Sequence, residues 1–406
     1  MSNLRVGPIK DFALGIYDSH HATPKDSDEG PVFLGIKNVT PQGILTFSEI
    51  KHISEQEYPE WIKRVVPREN DIVFSYEATL HRYALVPRGF RGCLGRHMAL
   101  LRPDTAKVHP RFLHYYFLTS SWRAVVEANI ISGAGVDRIS LKSFSYLEVR
   151  LPALPVQQRI ASILSAYDDL IENNRRRIQL LEQTAQVLYK EWFVHLRFPG
   201  HEHVKIKDGV PEGWTRQTLS SLAESVSYGL KASFSLEEAG PKYLRITDIV
   251  QSVIKWEDVA YCEATTKEVD RNRLEVGDVV VVRNGATVGY AKLISYLDYQ
   301  AVYASFLVRF RFRTPAMSFI AGIFMESDAY KKYVRNLAGG TVHSKANAKL
   351  LGAAVFLMPP QVLQDQFCDS IRMIYRQRDT LIRQNVRLST ARDLLFPRLM
   401  NGEITV

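Results

Sequence analysis

The chain has 406 residues, of which 46% are hydrophobic, so it is long enough to form two or three domains with buried cores. No apolar run approaches the roughly 18–20 residues of a membrane span, and three widely separated cysteines argue against a disulfide framework or a zinc knuckle. We therefore expect a cytoplasmic protein with no membrane partner. The 52 Lys and Arg residues outnumber the 43 Asp and Glu residues, and the pI is near 9.3, which favours a polyanionic partner over the alternative of an ordinary basic protein.

Residues 1–152 are predicted to form a mixed α/β module. A short amphipathic helix, IKDFALGIY (9–17), is expected first, and short apolar strands such as VFLGIKNV (32–39) and DIVFSY (71–76) follow between turns. An aromatic-rich helix is predicted over 110–129, with Pro110 at its start. Because the elements do not alternate as βαβ units, a doubly wound parallel sheet is disfavoured.

Residues 153–197 are predicted to form one long helix. Its heptad positions are occupied by Ile160, Tyr167, Asn174, Leu181 and Leu188. Ile163 and Leu170 are expected to fill the second heptad position at first, with Ile171, Ile178, Ala185 and Trp192 flanking it later. A seam of this kind requires a partner helix.

The remaining chain is predicted to repeat this order after a polar linker over 198–212. A second module over 213–359 opens with a short helix, LSSLAESVS (219–227), and contains strands KYLRITDI (242–249) and GDVVVVRNG (277–285). The C-terminal segment 360–406 is a second long helix. Its seam contains Phe367, Ile374, Leu381, Leu388 and Leu395.

The two halves of the chain match in sequence at an offset of about 210 residues. Gly30-Pro31 falls on Gly240-Pro241, Ala78-Thr79 falls opposite Ala286-Thr287, and SGAGVDRISLKSFSYLEVRLP matches AGGTVHSKANAKLLGAAVFLMP. The predicted fold class is therefore α+β, with two tandem-repeated mixed α/β domains separated by two long helices that form an antiparallel coiled coil. Asn174 and Asn385 are expected to set the register of that coil. The alternative is that each helix packs only on its own module.

Catalytic and metal-binding motifs are not found in the sequence. It has no phosphate-binding loop, no tetrapeptide of the amino-methyltransferase kind and no Gly-x-Ser-x-Gly. His20-His21 and HEH (201–203) lack a third ligand at a suitable spacing, so no metal site is expected. We predict a protein that recognises its partner, with no catalytic residues and no cofactor of its own.

Two pairs of matched loops carry the side chains best suited to reading DNA. The pairs are YEATLHRY (76–83) with RNGATVGY (283–290), and GAGVDRISLK (133–142) with GGTVHSKANAK (339–349). Arg can bind guanine in a bidentate manner and Asn can bind adenine, while plain sheet connections are the structural alternative. The predicted DNA-binding residues are Tyr76, Thr79, His81, Arg82, Arg138, Lys142, Arg283, Asn284, Thr287, Tyr290, His343, Lys345 and Asn347.

At these residues the chain resembles the specificity subunits of type I restriction-modification systems. The resemblance covers the whole chain and is strongest in LPALPVQQRIASILSAYDDLIENNRRRIQLLEQTAQVLYKEWF, in the second helix ending LLFPRLMNGEI, and in VPEGW at the start of the second module. The first module lacks the usual P-x-G-W opening and begins at VGPIKDF.

The resemblance implies two target recognition domains, each reading one half of a bipartite site in double-stranded DNA. It also implies that the long helices set the spacer and dock two copies of a methyltransferase subunit, which carries S-adenosylmethionine. A motor and nuclease subunit would join for restriction. The alternative function is a coiled-coil assembly scaffold whose modules bind proteins, and salt dependence of binding separates the two.

Overall fold

The computed structural model describes residues 4–22, 24–25, 27–47, 49–133, 136–337 and 345–406. The chain divides into two compact units: unit 1 comprises residues 1–172 and 386–406, and unit 2 comprises residues 173–385. Each unit therefore contains one mixed α/β module and a segment of each long helix. Within the described ranges, no helix is both long and apolar enough to cross a membrane.

Unit 1 is organised around an antiparallel sheet with strand order β2-β8-β5-β6. A second sheet, β4-β3-β7, pairs β3 with β7 in parallel, and β1-β11 and β9-β10 form two-stranded ribbons. The strands are β1 (Arg5–Pro8), β2 (Ala13–Asp18), β3 (Ser27–Leu34), β4 (Lys51–His52), β5 (Ile72–Ser75), β6 (Tyr83–Leu85), β7 (Gly92–Leu94), β8 (Met98–Pro103), β9 (Ile131–Gly133), β10 (Val136–Arg138) and β11 (Glu148–Leu151). The helices that begin in this unit are α1 (Tyr58–Trp61), α2 (Pro110–Phe117), α3 (Ser120–Glu127), α4 (Leu141–Tyr146) and α5 (Leu154–Tyr189).

Unit 2 repeats this plan with an antiparallel sheet of order β15-β22-β19-β20. A second sheet, β16-β18-β17-β21, again contains one parallel pair, β17 with β21, and β14-β23 and β12-β13 are ribbons. The strands are β12 (Ile206–Lys207), β13 (Val210–Pro211), β14 (Thr215–Thr218), β15 (Ala223–Tyr228), β16 (Phe234–Ser235), β17 (Lys242–Leu244), β18 (Tyr261–Cys262), β19 (Val279–Val282), β20 (Ala291–Leu293), β21 (Ala301–Tyr303), β22 (Leu307–Phe312) and β23 (Val355–Met358). The helices are α6 (Leu219–Leu222), α7 (Ile246–Ile249), α8 (Thr266–Asn272), α9 (Pro315–Glu326), α10 (Asp328–Leu337), α11 (Ala348–Gly352) and α12 (Gln361–Met400).

A buried ion pair precedes the central strand of each main sheet. In unit 1 the Asp71 carboxylate accepts hydrogen bonds from Nε and Nη2 of Arg102 at 2.8 and 2.7 Å. In unit 2 the Asp278 carboxylate accepts two from Arg311, both at 2.8 Å. Bidentate geometry satisfies both carboxylate oxygens away from water, which a buried charge requires. The repeated pair supports the prediction of two copies of one module.

The predicted helices at the start of each module are wrong beyond their first turn. Ile9–Phe12 forms one 3₁₀ turn and Leu219–Leu222 one α-helical turn, and the chain then enters strands β2 and β15. Each strand pairs with the last strand of its sheet, β8 or β22. The backbone hydrogen bonds offered by that neighbouring strand outweigh the weak helical periodicity of such short segments.

In unit 1, the first part of α5 packs with the end of α12. Ile160 and Leu164 on α5 are buried in the same cluster as Leu399 on α12. The Asp168 carboxylate accepts a hydrogen bond from Arg392 Nη1 at 2.7 Å and a second from the Tyr115 hydroxyl at 2.5 Å. This contact ties both helix segments to the module of unit 1.

In unit 2, the second part of α5 packs with the first part of α12. Asn174 Nδ2 donates to Asn385 Oδ1 at 2.9 Å, and the ring centroids of Phe193 and Phe367 lie 4.9 Å apart. Residue numbers rise along α5 as those of their partners fall along α12, so the paired segments are antiparallel, as predicted. The contact between the two asparagines lies where the sequence predicted a register-setting pair.

Buried side chains recur along α5 with a seven-residue spacing, but one of the predicted heptad positions, Leu170, is not among them. Of the predicted seam residues, Ile160, Asn174 and Leu381 are buried, whereas Tyr167, Leu181, Leu188, Ile374, Asn385, Leu388 and Leu395 are half-buried. Leu170 is 50% exposed, so its assignment to the second heptad position is wrong, and Leu164 and Ile171 occupy that position. Spacings of three and four residues then place the buried side chains on one stripe.

Candidate nucleic-acid interface

In unit 1, the loop that follows the central strand β5 is fixed by two backbone hydrogen bonds of its first residue, Tyr76. The Tyr76 backbone N–H donates to the His97 carbonyl at 3.1 Å, and the Tyr76 carbonyl accepts from the Ile139 N–H at 2.9 Å. Glu77 then forms an antiparallel bridge with Arg138. These contacts bring the two predicted DNA-reading loops of the module together.

In unit 2, the loop after β19 has the same hydrogen bonds. Arg283 donates from its backbone N–H to the Phe306 carbonyl at 3.0 Å and accepts from the Ala346 N–H at 2.8 Å. Asn284 bridges Lys345. Both pairs of predicted loops are therefore joined in the same way.

The equivalent hydrogen bonds correct the alignment of the two loops by one residue. Tyr76 corresponds to Arg283 and Glu77 to Asn284, so Ala78 corresponds to Gly285 and not to Ala286. Ala78 and Gly285 both have positive φ, at 69° and 86°. This left-handed turn suits glycine and is strained for alanine. The Ala-Thr pairs align in sequence, but the residues of equivalent backbone conformation are Ala78 and Gly285.

In unit 1, Tyr76 is part of a hydrogen-bonded cluster beneath the loop. Its hydroxyl donates to Asp18 Oδ1 at 2.9 Å, and His21 Nε2 lies 2.7 Å from Asp18 Oδ2. Arg64 Nη1 lies 3.4 Å from the same carboxylate. Burial, and then the hydrogen bond to Asp18, raises the pKa of Tyr76 well above its usual value. The Tyr76 side chain is therefore buried within the module, where its hydrogen bond to Asp18 stabilises the loop.

The other predicted residues of unit 1 differ in exposure. Thr79, Arg138 and Lys142 are exposed, whereas Arg82 and His81 are half-buried. Burial lowers the pKa of His81 below its usual value, so this ring is mostly neutral near pH 7 and acts as a hydrogen-bonding group. Exposed Arg and Lys side chains are suited to phosphate contacts.

In unit 2, aromatic rings and cations surround the loop. The Arg283 guanidinium lies 4.6 Å from the centroid of the Tyr228 ring, and Lys331 and Arg335 lie 4.9 and 5.8 Å from that of Tyr290. These cation–π contacts orient the side chains while leaving N–H groups for a ligand.

The remaining predicted residues of unit 2 have different roles. Thr287 is half-buried, and its carbonyl accepts from the Tyr290 N–H at 3.0 Å within the turn. Lys345 is exposed. Asn347 caps α11 by accepting from the Leu350 N–H at 2.8 Å, so its side-chain oxygen is already used. His343 lies outside the described residues.

Four residues at the loops did not emerge from the sequence. Glu77 lies inside a predicted loop, but a carboxylate is not the side chain that a polyanionic partner leads one to expect there. Tyr228 ends strand β15, and Lys331 and Arg335 are on α10, distant in sequence from the loop they face. Two cations four residues apart on one helix were the available signal for the last two.

Comparison with known proteins finds similarity to one family over most of the chain. Residues 30–183 match the family model for the type I restriction modification DNA specificity domain. The MjaIX specificity subunit of Methanocaldococcus jannaschii is 22% identical over 91% of this chain and 86% of its own, and the EcoKI specificity subunit of Escherichia coli is 23% identical over 78% and 70%. The chain is therefore similar to the specificity subunits of type I restriction-modification systems over most of its length.

A solved structure has the same fold as this chain. The crystal structure of a type I restriction-modification S subunit from M. genitalium covers 98% of this chain and 96% of its own, with a TM-score of 0.60 at 15% identity. The family-model match contains the first predicted loops, from Tyr76 to Lys142, and most of α5. Specificity subunits are the non-catalytic components of these systems, in agreement with the prediction that the chain is not an enzyme.

Proposed function

We propose that the chain is a specificity subunit that recognises a bipartite site in double-stranded DNA, with the module of each unit reading one half. The observation that carries the proposal is that both modules hold their loops by the same backbone hydrogen bonds but have different side chains at the equivalent position, Glu77 in one and Asn284 in the other. A shared frame places each loop against DNA in the same way, and different side chains select different bases.

Phosphate contacts would position each module on the duplex. Arg138 in unit 1 and Lys345 in unit 2 are exposed cations whose backbones bridge Glu77 and Asn284, and Lys142 is a further exposed cation of unit 1. Cations at this position bind the backbone of any sequence and make affinity depend on salt. Base selection then rests on the few side chains at the end of each central strand.

The long helices would set the spacer and dock two copies of the methyltransferase subunit, each bringing its own S-adenosylmethionine. On α5 and the turn that continues it, Leu180, Val187 and Val194 are spaced by seven residues and are 61%, 58% and 61% exposed. A seven-residue spacing keeps side chains on one helix face. This outer stripe, on a different face from the seam, is the surface that we assign to the methyltransferase.

Co-expression with the methyltransferase subunit of the same system, followed by single-molecule sequencing of host DNA for N6-methyladenine, tests the proposal directly. The expected result is one split motif, with two short defined parts around a fixed gap. A stable complex that methylates nothing, or a motif with a single uninterrupted part, would contradict the bipartite reading.

Docking is tested with Leu180→Glu and Val187→Glu together. A charge at each position disfavours burial against a partner, so co-purification of the methyltransferase should be lost while DNA binding by the specificity subunit is retained. Gln179→Glu is the control for added charge, because it places one negative charge at an exposed position about 100° around the same helix from Leu180. Equal co-purification of the double variant and the control would remove the stripe as the docking surface.

Salt dependence separates DNA reading from a protein-binding scaffold. If about six to ten phosphates are contacted, affinity for duplex DNA should fall by roughly 10³- to 10⁵-fold between 50 and 200 mM salt. Binding that hardly changes over this range would favour the scaffold.

A further inference from the structure

We propose that Glu77 and Asn284 are a matched pair of specificity-determining residues, which rests on the proposed bipartite reading. Glu77 selects cytosine in the half-site of unit 1, and Asn284 selects adenine in the half-site of unit 2. Each is the second residue after its central strand. The backbone of Glu77 forms an antiparallel β-bridge with Arg138, and that of Asn284 forms one with Lys345.

The Glu77 side chain retains acceptor capacity in its surroundings. Its side chain is 29% exposed, and one carboxylate oxygen lies 3.2 Å from His97 Nδ1. The second oxygen and the remaining lone pairs have no hydrogen-bond partner shown among the described residues. His97 and the neighbouring Arg138 place positive or polar groups beside a carboxylate that would otherwise be repelled by DNA phosphates.

A carboxylate at this position restricts which base it can face. An ionised Glu only accepts hydrogen bonds, and in the major groove cytosine offers its N4 amino group. Guanine presents the acceptors O6 and N7, and thymine presents O4, so both oppose a carboxylate. Adenine pairs its N6 donor with an adjacent N7 acceptor, which makes it a poorer fit than cytosine.

The Asn284 amide has the chemistry that adenine requires. An amide donates and accepts at once, matching adenine N7 and N6 in a bidentate pair. Asn284 Oδ1 is buried and has no hydrogen-bond partner in the described part of the chain, and the same is true of Nε in the preceding Arg283. Buried polar atoms without partners are rare in native proteins. Because the Asn284 residue is only half-buried, rotation about its side-chain torsions would turn the amide outward, where an adenine amino group would supply the missing partner.

The test measures base discrimination once the wild-type motif has been read by methylation sequencing. The complex of specificity and methyltransferase subunits is titrated with the motif duplex and with duplexes carrying single base-pair changes, at one fixed salt concentration. Glu77→Gln should reduce discrimination for a C·G pair in one half-site by roughly tenfold, with the other half-site and the spacer unchanged. Asn284→Asp should reduce discrimination for an A·T pair in the other half-site by a similar factor.

Two further variants keep the result interpretable. Glu77→Asp keeps the acceptor on a shorter side chain and should retain the preference for cytosine with weaker binding. Glu69→Gln removes an exposed carboxylate of the same unit outside the loop and should leave both half-sites unchanged. Glu77→Gln that retains full discrimination, or a wild-type motif with no C·G pair in either half-site, would overturn the inference. Wild-type protein without any split motif would instead overturn the proposed function on which it rests.

Discussion

Lengthening both long helices by one heptad should lengthen the DNA spacer and leave both half-sites intact. The division between the two units crosses α5 between Glu172 and Asn173 and α12 between Asn385 and Val386, so seven residues are added at each position. Seven residues add about 10 Å of helix and rotate it by about 700°, which is within about 20° of whole turns. The heptad seam is preserved, and at 3.4 Å per base pair the spacer should grow by about 3 base pairs.

The assay is methylation sequencing of host DNA with the wild-type and lengthened subunits. Addition to α5 alone is the control, because it displaces partners such as Asn174 and Asn385, now 2.9 Å apart, and should abolish specific methylation. A paired addition of four residues gives about 6 Å and a net rotation of about 40°, which moves the seam residues out of line. An unchanged spacer in the paired seven-residue variant, with both half-sites still methylated, would refute the proposal that the two long helices set the spacer length.

Three further experiments test contacts inside the units. Asn385→Leu should lower the free energy of unfolding by about 1–3 kcal/mol because Asn174 loses its partner, and adding Asn174→Leu should restore most of it; urea unfolding that shows simple additivity would contradict this coupling. Asp278→Asn should cost about 3 kcal/mol or more because it breaks a buried bidentate pair, whereas Asp298→Asn in a half-exposed pair should cost below about 1 kcal/mol in the same assay. Burial lowers the pKa of His114, so the unfolded chain takes up a proton near pH 6.5 that the folded chain does not, and stability should be full above that pH and fall as the pH drops toward the lowered folded pKa. His114→Gln should therefore flatten the dependence of Tm on pH between 7.5 and 5.5, and equal slopes for both proteins would count against the assignment.

Much of the fold could be predicted from periodicity alone. The long runs of α5 and α12 repeat apolar residues every seven positions over many turns, and such a signal survives any tertiary context. The duplication was readable because the two copies preserve landmarks that backbone geometry requires. At Gly30 and Gly240, φ is 125° and 132°, and a Cβ atom would collide with the carbonyl oxygen of Ile53 or Cys262.

The short elements were less predictable because neighbours in space decide them. LSSLAESVS contains both a helical turn and a strand, and only the presence of β22 alongside determines where one ends and the other begins. The domain boundaries taken from the sequence stay a prediction, since the compact units include half of each long helix.

The candidate site shows the same division. The sequence placed Arg283, Asn284 and Arg138 in matched loops, because polar residues between apolar strands are visible in one dimension. The role predicted for Tyr76 in DNA binding stays a prediction, and the hydrogen bond from its hydroxyl to Asp18 on another strand was not visible in the sequence. The equivalence of Glu77 and Asn284 was not visible there either. Which residue is exposed, and which residue is equivalent to which, depends on hydrogen bonds between distant segments.

For this chain, the sequence by itself determined the duplication, the two long helices, their antiparallel seam and the absence of recognisable catalytic motifs. These properties reside in periodicity, composition and repeated landmarks, which need no knowledge of contacts. The tertiary structure decided the one-residue frame of the two matched loops, the buried ion pairs before the central strands and which loop side chains are exposed. Each of these depends on which distant backbone groups meet, and residues 76, 97 and 139, or 283, 306 and 346, are brought together only by the folded sheet.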